Sequence, residues 1–290
     1  MLKVFLLVGL LIMPILTNAQ KQIKKNNKML LITLQKRVSV KNEEGKYAVE
    51  DFTERWDPSQ TAIIICDMWD KHWCTDATKR VNELAPKINN VISIARADGI
   101  LIVHAPSDCM DYYKNYPERI AAEKYNDPRF QKLLQATCVE GLISENNAKW
   151  PIDQSDGGCT NPDEHEYKAW TKENDQIEIK RGDIISESGA EITGVFQAKG
   201  IKNVILIGVH ANMCIIERTF GLRSMTRMGF NAVLMRDMTD AMYDSRSWPY
   251  VSHFTGVNLM IDYIEKYISP TMLSSDITHE RPFGFGGKVK

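Results

Sequence analysis

Short, continuous apolar runs recur along the chain. Thr61-Ala-Ile-Ile-Ile-Cys66, Ile100–Val103, Val204–Ile207 and Asn231–Arg236 are too short for helices and end at Gly or polar residues. That pattern predicts strands buried on both faces, as in a parallel sheet. Between them, apolar residues fall at helical spacing. Leu84, Ile88, Val91, Ile92 and Ala95 make one stripe, closed by Gly99. Residues 190–199, closed by Gly200, make another. Val257, Met260, Ile261, Ile264 and Ile268 mark a closing helix, and glycine just past a helix suits the left-handed C-cap. Gln176-Ile-Glu-Ile-Lys180 alternates as a strand ending in lysine. Upstream, Leu30–Ser39 and Tyr47–Phe52 flank a turn-rich Lys41–Gly45 and predict an N-terminal β-hairpin, placed to protect a sheet edge or to meet a second copy. Strands alternating with helices predict an α/β domain over about 54–269.

Two stretches depart from this rhythm. Residues 106–175 are punctuated by Pro106, Pro117, Pro128, Pro151, Gly157-Gly158 and Pro162. Short helices are expected near 118–125 and 129–137. An insertion of this length is a lid, a binding segment or an interface. At the start, Lys3 precedes an apolar Val4–Leu16 and then Thr17-Asn-Ala-Gln20. This reads as a secretory signal peptide over 1–19, shorter than the roughly 20 residues of a spanning helix. The expected location is therefore the periplasm or the exterior, with no membrane attachment after cleavage. Residues 20–53 form a lead-in and the hairpin, and 270–290 a C-terminal tail. The 36 basic and 37 acidic residues nearly cancel, without a basic stripe, which argues against nucleic acid as a partner. Of six cysteines, Cys138 and Cys159 share the irregular region and are the disulfide pair to test first, with Cys66 an inert core thiol.

The segment Asn203–Glu217 carries the chemistry. After its strand the chain turns at Gly208 through Val209-His210-Ala211-Asn212 and enters a helix expected from Cys214 to Met228, with Asn212 as N-cap. A thiol in a first helical turn meets the positive end of the helix dipole, which favours thiolate, and the same N–H groups suit an oxyanion. Asp67 and Lys180 also stand at strand ends, where functional groups collect in open parallel sheets. A cysteine nucleophile needs a proton acceptor, and a nearby ammonium eases its ionisation. Trp69, His72 and Trp73 lie just beyond Asp67 and either line a pocket for a small molecule or form a loop packed by its own tryptophans.

These residues carry a family resemblance. Ile63-Ile-Ile-Cys-Asp67-Met, Lys180, Gly208-Val-His-Ala-Asn-Met-Cys214 and Arg236-Asp-Met-Thr-Asp240-Ala resemble the motifs of the isochorismatase-like cysteine hydrolases, the group that includes nicotinamidases and N-carbamoylsarcosine amidases. The resemblance covers roughly residues 58–268. It implies a three-layer Rossmann-like fold, with about six parallel strands flanked by helices; a homo-oligomer is expected separately. It implies an Asp67–Lys180–Cys214 triad that hydrolyses C–N bonds through an acyl-enzyme. It also implies a cis peptide at Val209–His210, with the N–H groups of Cys214 and His210 as the oxyanion hole.

The chain departs from the pattern in one respect that matters for metals. Nicotinamidases hold a metal through Asp-x-His, whereas here Asp108 is followed at that spacing by Met110. The expectation is therefore no metal and no cofactor. The leading reading is a cysteine-dependent hydrolase of a small amide or carbamoyl compound. The alternatives are a scaffold that kept the fold without the activity, and a metal-assisted, nicotinamidase-like amidase.

Overall fold

The computed structural model describes residues 29–137 and 141–287. The expected signal peptide and Cys138 lie outside the described residues. In chain order the elements begin with β1 (Leu30–Ser39), β2 (Tyr47–Trp56), β3 (Thr61–Cys66), α1 (Thr75–Asp98) and β4 (Leu101–Ala105). The insertion carries α2 (Met110–Tyr113), α3 (Pro117–Glu123) and α4 (Pro128–Thr137). Then come β5 (Ile184–Ile185), α5 (Gly189–Lys199), β6 (Asn203–Val209), α6 (Cys214–Glu217), α7 (Leu222–Arg227), β7 (Asn231–Asp240), α8 (His253–Tyr267), β8 (Thr271–Met272) and α9 (Ser275–Thr278).

One sheet runs in the order β2-β1-β8-β7-β6-β3-β4-β5. The six strands from β8 to β5 are parallel, and the hairpin β1–β2 is added antiparallel at one edge, touching β8 at Gln35–Thr271. Successive residues of a strand point to opposite faces, and β3 shows it. Ala62, Ile64 and Cys66 pack toward α5 and α8, among Val195, Phe196, Val257, Met260 and Ile264. Ile63 and Ile65 pack toward Leu84, Ile88, Val91 and Ile92 of α1. The result is three layers with β3 in the middle. Each fully buried Ile contributes roughly 1.5–3 kcal/mol to this arrangement.

The register aligns the strand ends. Cys66 pairs with Ala105 of β4 on one side and Gly208 of β6 on the other. Whatever follows Cys66, Ala105 and Val209 therefore emerges on a single edge of the sheet.

Four expectations are corrected. Gln176–Lys180 is not a strand. It lies along α1, where the Glu178 N–H donates to Asn89 Oδ1 and Arg96 donates to the Glu178 carbonyl, and the strand beside β4 is β5 instead. The tail from 270 is not outside the domain, because β8 joins the sheet and Ile277 and Phe285 are buried on the α1 face. The helix expected from Cys214 to Met228 breaks at Arg218, whose extended backbone (φ −61°, ψ 154°) separates α6 from α7. Asn212 does not cap α6. Its amide is spent on Met242, donating to the carbonyl and accepting from the N–H.

The disulfide also differs, joining Cys159 to Cys74 with Cα atoms 5.8 Å apart. Cys74 precedes the first turn of α1, so the bond ties the insertion to the loop that follows Asp67.

Gly208 has φ +102°, and a Cβ there would stand 2.2 Å from the Cys66 carbonyl oxygen. The approach of β6 to β3 requires this glycine. Gly200 also has positive φ (+69°), yet a Cβ there meets nothing within 4 Å. Urea unfolding should therefore separate them, with Gly200→Ala costing about 1 kcal/mol and Gly208→Ala about 3 kcal/mol or more. Equal costs would contradict the close approach.

Candidate functional site

Asp67 leaves β3 in the left-handed region (φ +47°) with its side chain fully buried. The Ala105 carbonyl accepts its N–H, which holds the turn against the end of β4. One carboxylate oxygen accepts from the Ser107 N–H at 2.8 Å, and the other faces Arg218 Nε at 3.2 Å. Arg218 follows the single turn of α6 in extended backbone, and from that position its guanidinium reaches Asp67. Its Nη2 stands 3.4 Å from Asp108 Oδ2, so a single guanidinium spans two carboxylates. Burial alone would lower the Arg218 pKa, but the charges of Asp67 and its neighbours outweigh it and keep the group firmly cationic.

Cys214 opens α6 beyond a cis peptide at Val209–His210, as the resemblance implied. The N–H groups of Met213 and Ile215 both donate to the His210 carbonyl and fix this turn. The Cys214 thiol interacts with Asp67 and Arg218. Burial and then the Asp67 charge push its pKa well up, with Arg218 opposing them. The thiolate expected from the helix dipole is thus not the resting form. A four-residue helix supplies less than burial beside a carboxylate removes.

The cation of this group is Arg218, and Lys180 is elsewhere. Lys180 is half exposed and paired with Glu178 at 2.8 Å. Its backbone N–H donates to Asp183, which draws the loop toward Arg96 and His104, away from Asp67. Arg218 was legible only as a charged residue four positions after Cys214.

The three residues proposed to line a pocket do come together. Trp69 stacks on Trp170 of the insertion at 4.1 Å, and His72 meets Trp73 and, edge-on, His210, each at 5.2 Å. Trp69 Nε1 donates to the Ser107 carbonyl, and the Cys74 N–H donates to His72 Nδ1. Burial, then Arg80, lowers the His72 pKa to about 4, and burial with His72 beside it holds His210 well below its ordinary value. Both imidazoles are neutral at pH 7. Asp240 anchors the far side, held in its charged form against burial by Arg80 at 2.6 Å and His253 at 2.9 Å.

Asp108, the residue where a nicotinamidase-type metal would begin, faces the Arg218 guanidinium. Among the described residues the one trio of potential ligands close enough to share an ion is Cys74, Cys159 and Glu164, and its two sulfurs are joined in the disulfide.

No protein-family model matches the sequence, and no curated protein matches it. Solved structures do. A cysteine hydrolase from Pseudomonas syringae pv. phaseolicola 1448A is similar over 77% of this chain and 92% of its own, at 15% identity and a TM-score of 0.47. N-carbamoylsarcosine amidase from Thermoplasma acidophilum is similar over 74% and 96%, at 13% identity and a TM-score of 0.39. The pyrazinamidase of Pyrococcus horikoshii, in complex with zinc, is similar over 74% and 98%, at 13% identity and a TM-score of 0.38.

A second buried ion network supports the site from below. His104 of β4 lies between Glu173 (2.8 Å) and Asp183 (3.2 Å), and Glu173 pairs by a β-bridge with Trp69. Burial would lower the His104 pKa, but the two carboxylates push it up to about 9. A group raised in the folded state stabilises fully below its unfolded pKa of about 6.5 and loses that contribution as pH rises through about 9. The difference in unfolding free energy between the native chain and His104→Asn should therefore shrink between pH 6.5 and 9, by about 3 kcal/mol at most. A difference independent of pH across that window would mean a neutral imidazole.

Proposed function

We propose that the protein is a cysteine-dependent hydrolase that cleaves a small amide or carbamoyl C–N bond through an acyl-enzyme. The observation that carries this reading is the convergence of the Asp67 carboxylate, the Arg218 guanidinium and the Cys214 thiol on one edge of the sheet.

Because the thiol rests protonated, attack and proton transfer are coupled. As Cys214 Sγ bonds to the substrate carbonyl carbon, its proton passes to Asp67. The carbonyl becomes an oxyanion, for which the backbone N–H groups of His210 and Cys214 are the proposed donors. Collapse breaks the C–N bond, and Asp67 returns the proton to the departing nitrogen. Water then attacks the thioester with Asp67 as base, releasing the acid and restoring the thiol. Arg218 lies against the Asp67 carboxylate and compensates the negative charge passed between that carboxylate and the sulfur. The neutral imidazoles of His72 and His210, with Trp69 and Trp73, form the wall against which the substrate lies. Export belongs to the same reading. The Cys74–Cys159 disulfide supports it, since such bonds persist in oxidising compartments.

The test is an amide screen read by ammonia release, followed by four variants on any substrate found. Cys214→Ala and Asp67→Asn should each lower kcat by about a thousandfold or more, and Arg218→Met by about a hundredfold. Lys180→Met should change it less than about twofold. Full turnover by Cys214→Ala would end the proposal. A large loss in Lys180→Met with none in Arg218→Met would reassign the cation.

A further inference from the structure

Beside the Asp67–Arg218–Cys214 group lies a hollow that the chemistry above leaves unused. It has a volume of about 280 Å³ and is lined by Ser107, Asp108, Glu187, Ser188, Arg218 and Thr219, among others. Asp108 and Glu187 also wall an adjoining cavity of about 530 Å³. The two acidic residues are joined, because the Asp108 N–H donates to a Glu187 carboxylate oxygen.

Charge in this corner is unbalanced. Asp67, Asp108 and Glu187 present three carboxylates, and Arg218 supplies the guanidinium that faces the first two. Arg119, which feels the Glu187 charge, is spent on both oxygens of Glu191. Lys168 lies in the wall of the adjoining cavity, and so does Asp111.

Ser107 adds an independent sign of a missing partner. It lines the hollow and is 1% exposed, yet its hydroxyl has no hydrogen-bond partner. Its N–H is committed to Asp67 and its carbonyl to Trp69. A buried hydroxyl without a partner is costly, by about 1–3 kcal/mol, unless something is meant to meet it.

An ammonium group answers all of these features. It carries one positive charge and three N–H donors, and the hollow offers the carboxylates of Asp108 and Glu187 and the hydroxyl oxygen of Ser107. We infer that this hollow is a subsite for a positively charged group, so that the substrate is an amide bearing an ammonium a few bonds from the scissile carbonyl. The assignment of the substrate rests on the proposed hydrolase reading; the binding preference does not.

The experiment separates the two. The probes are 4-aminobutanamide, 5-aminopentanamide and 6-aminohexanamide, their methyl isosteres pentanamide, hexanamide and heptanamide, and the anionic glutaramate. Binding is measured by calorimetry on the Cys214→Ala protein, and ammonia release on the native chain. At least one cationic amide should bind about tenfold tighter than its isostere at low salt, and glutaramate weakest. The preference should narrow at 0.5 M salt, and Glu187→Gln or Asp108→Asn should cut it to under about threefold. Cation-selective binding without hydrolysis of any probe would keep the subsite and count against the hydrolase. Turnover or binding without cation preference, or no binding by any probe, would overturn the subsite.

Discussion

A carboxylate with no solvent exposure cannot remain charged alone. Removing such an ion from water costs several kcal/mol, and the cost has to be met by partners of good geometry. Asp67 meets it with the Ser107 N–H and the Arg218 guanidinium. Everything else about the site follows from that contact. It places a cation four residues after Cys214, where α6 has ended and the backbone is extended. It also sets the Arg218 cation against the Asp67 carboxylate, while burial beside that carboxylate keeps Cys214 a thiol.

The fold brings these groups together through register. Because Cys66 is level with both Ala105 and Gly208, the chain leaves β3, β4 and β6 at the same height. Asp67, Ser107 and the turn to Cys214 thus meet without any long-range reach. The insertion then closes one side. Trp170 stacks on Trp69, Glu173 bridges to the same residue and to His104, and Cys159 is bonded to Cys74. These ties, two of them through Trp69, hold the insertion against the loop that follows Asp67.

Much of this was legible in the residues. The continuous apolar runs of β3 and β6 and the helical stripe of α1 state their partners plainly, because burial on both faces or on one face leaves a periodic trace. Asp67 and Cys214 could be singled out because strand ends are where an α/β sheet places its chemistry. Lys180 misled for a physical reason. Gln176–Lys180 alternates like a strand, but the Glu178 backbone pairs with side chains of α1 and its neighbours pair with Asn174 and Asp183, and no local pattern distinguishes the two. Arg218 was hidden by the opposite error, since a helix assumed continuous through Met228 points it differently from one that breaks after Glu217. The strand at Thr271–Met272 is two residues long and has no periodicity to detect. The pairing of Cys74 with Cys159 spans 85 residues and depends on tertiary structure alone.

The most direct test of the account is to look for the acyl group itself. During turnover of any amide substrate, acid-quenched protein analysed by mass spectrometry should carry the acyl mass on the peptide containing Cys214, and added hydroxylamine should divert product to the hydroxamate. Sustained turnover with Cys214 unmodified at every quench time and no hydroxamate formed would contradict it.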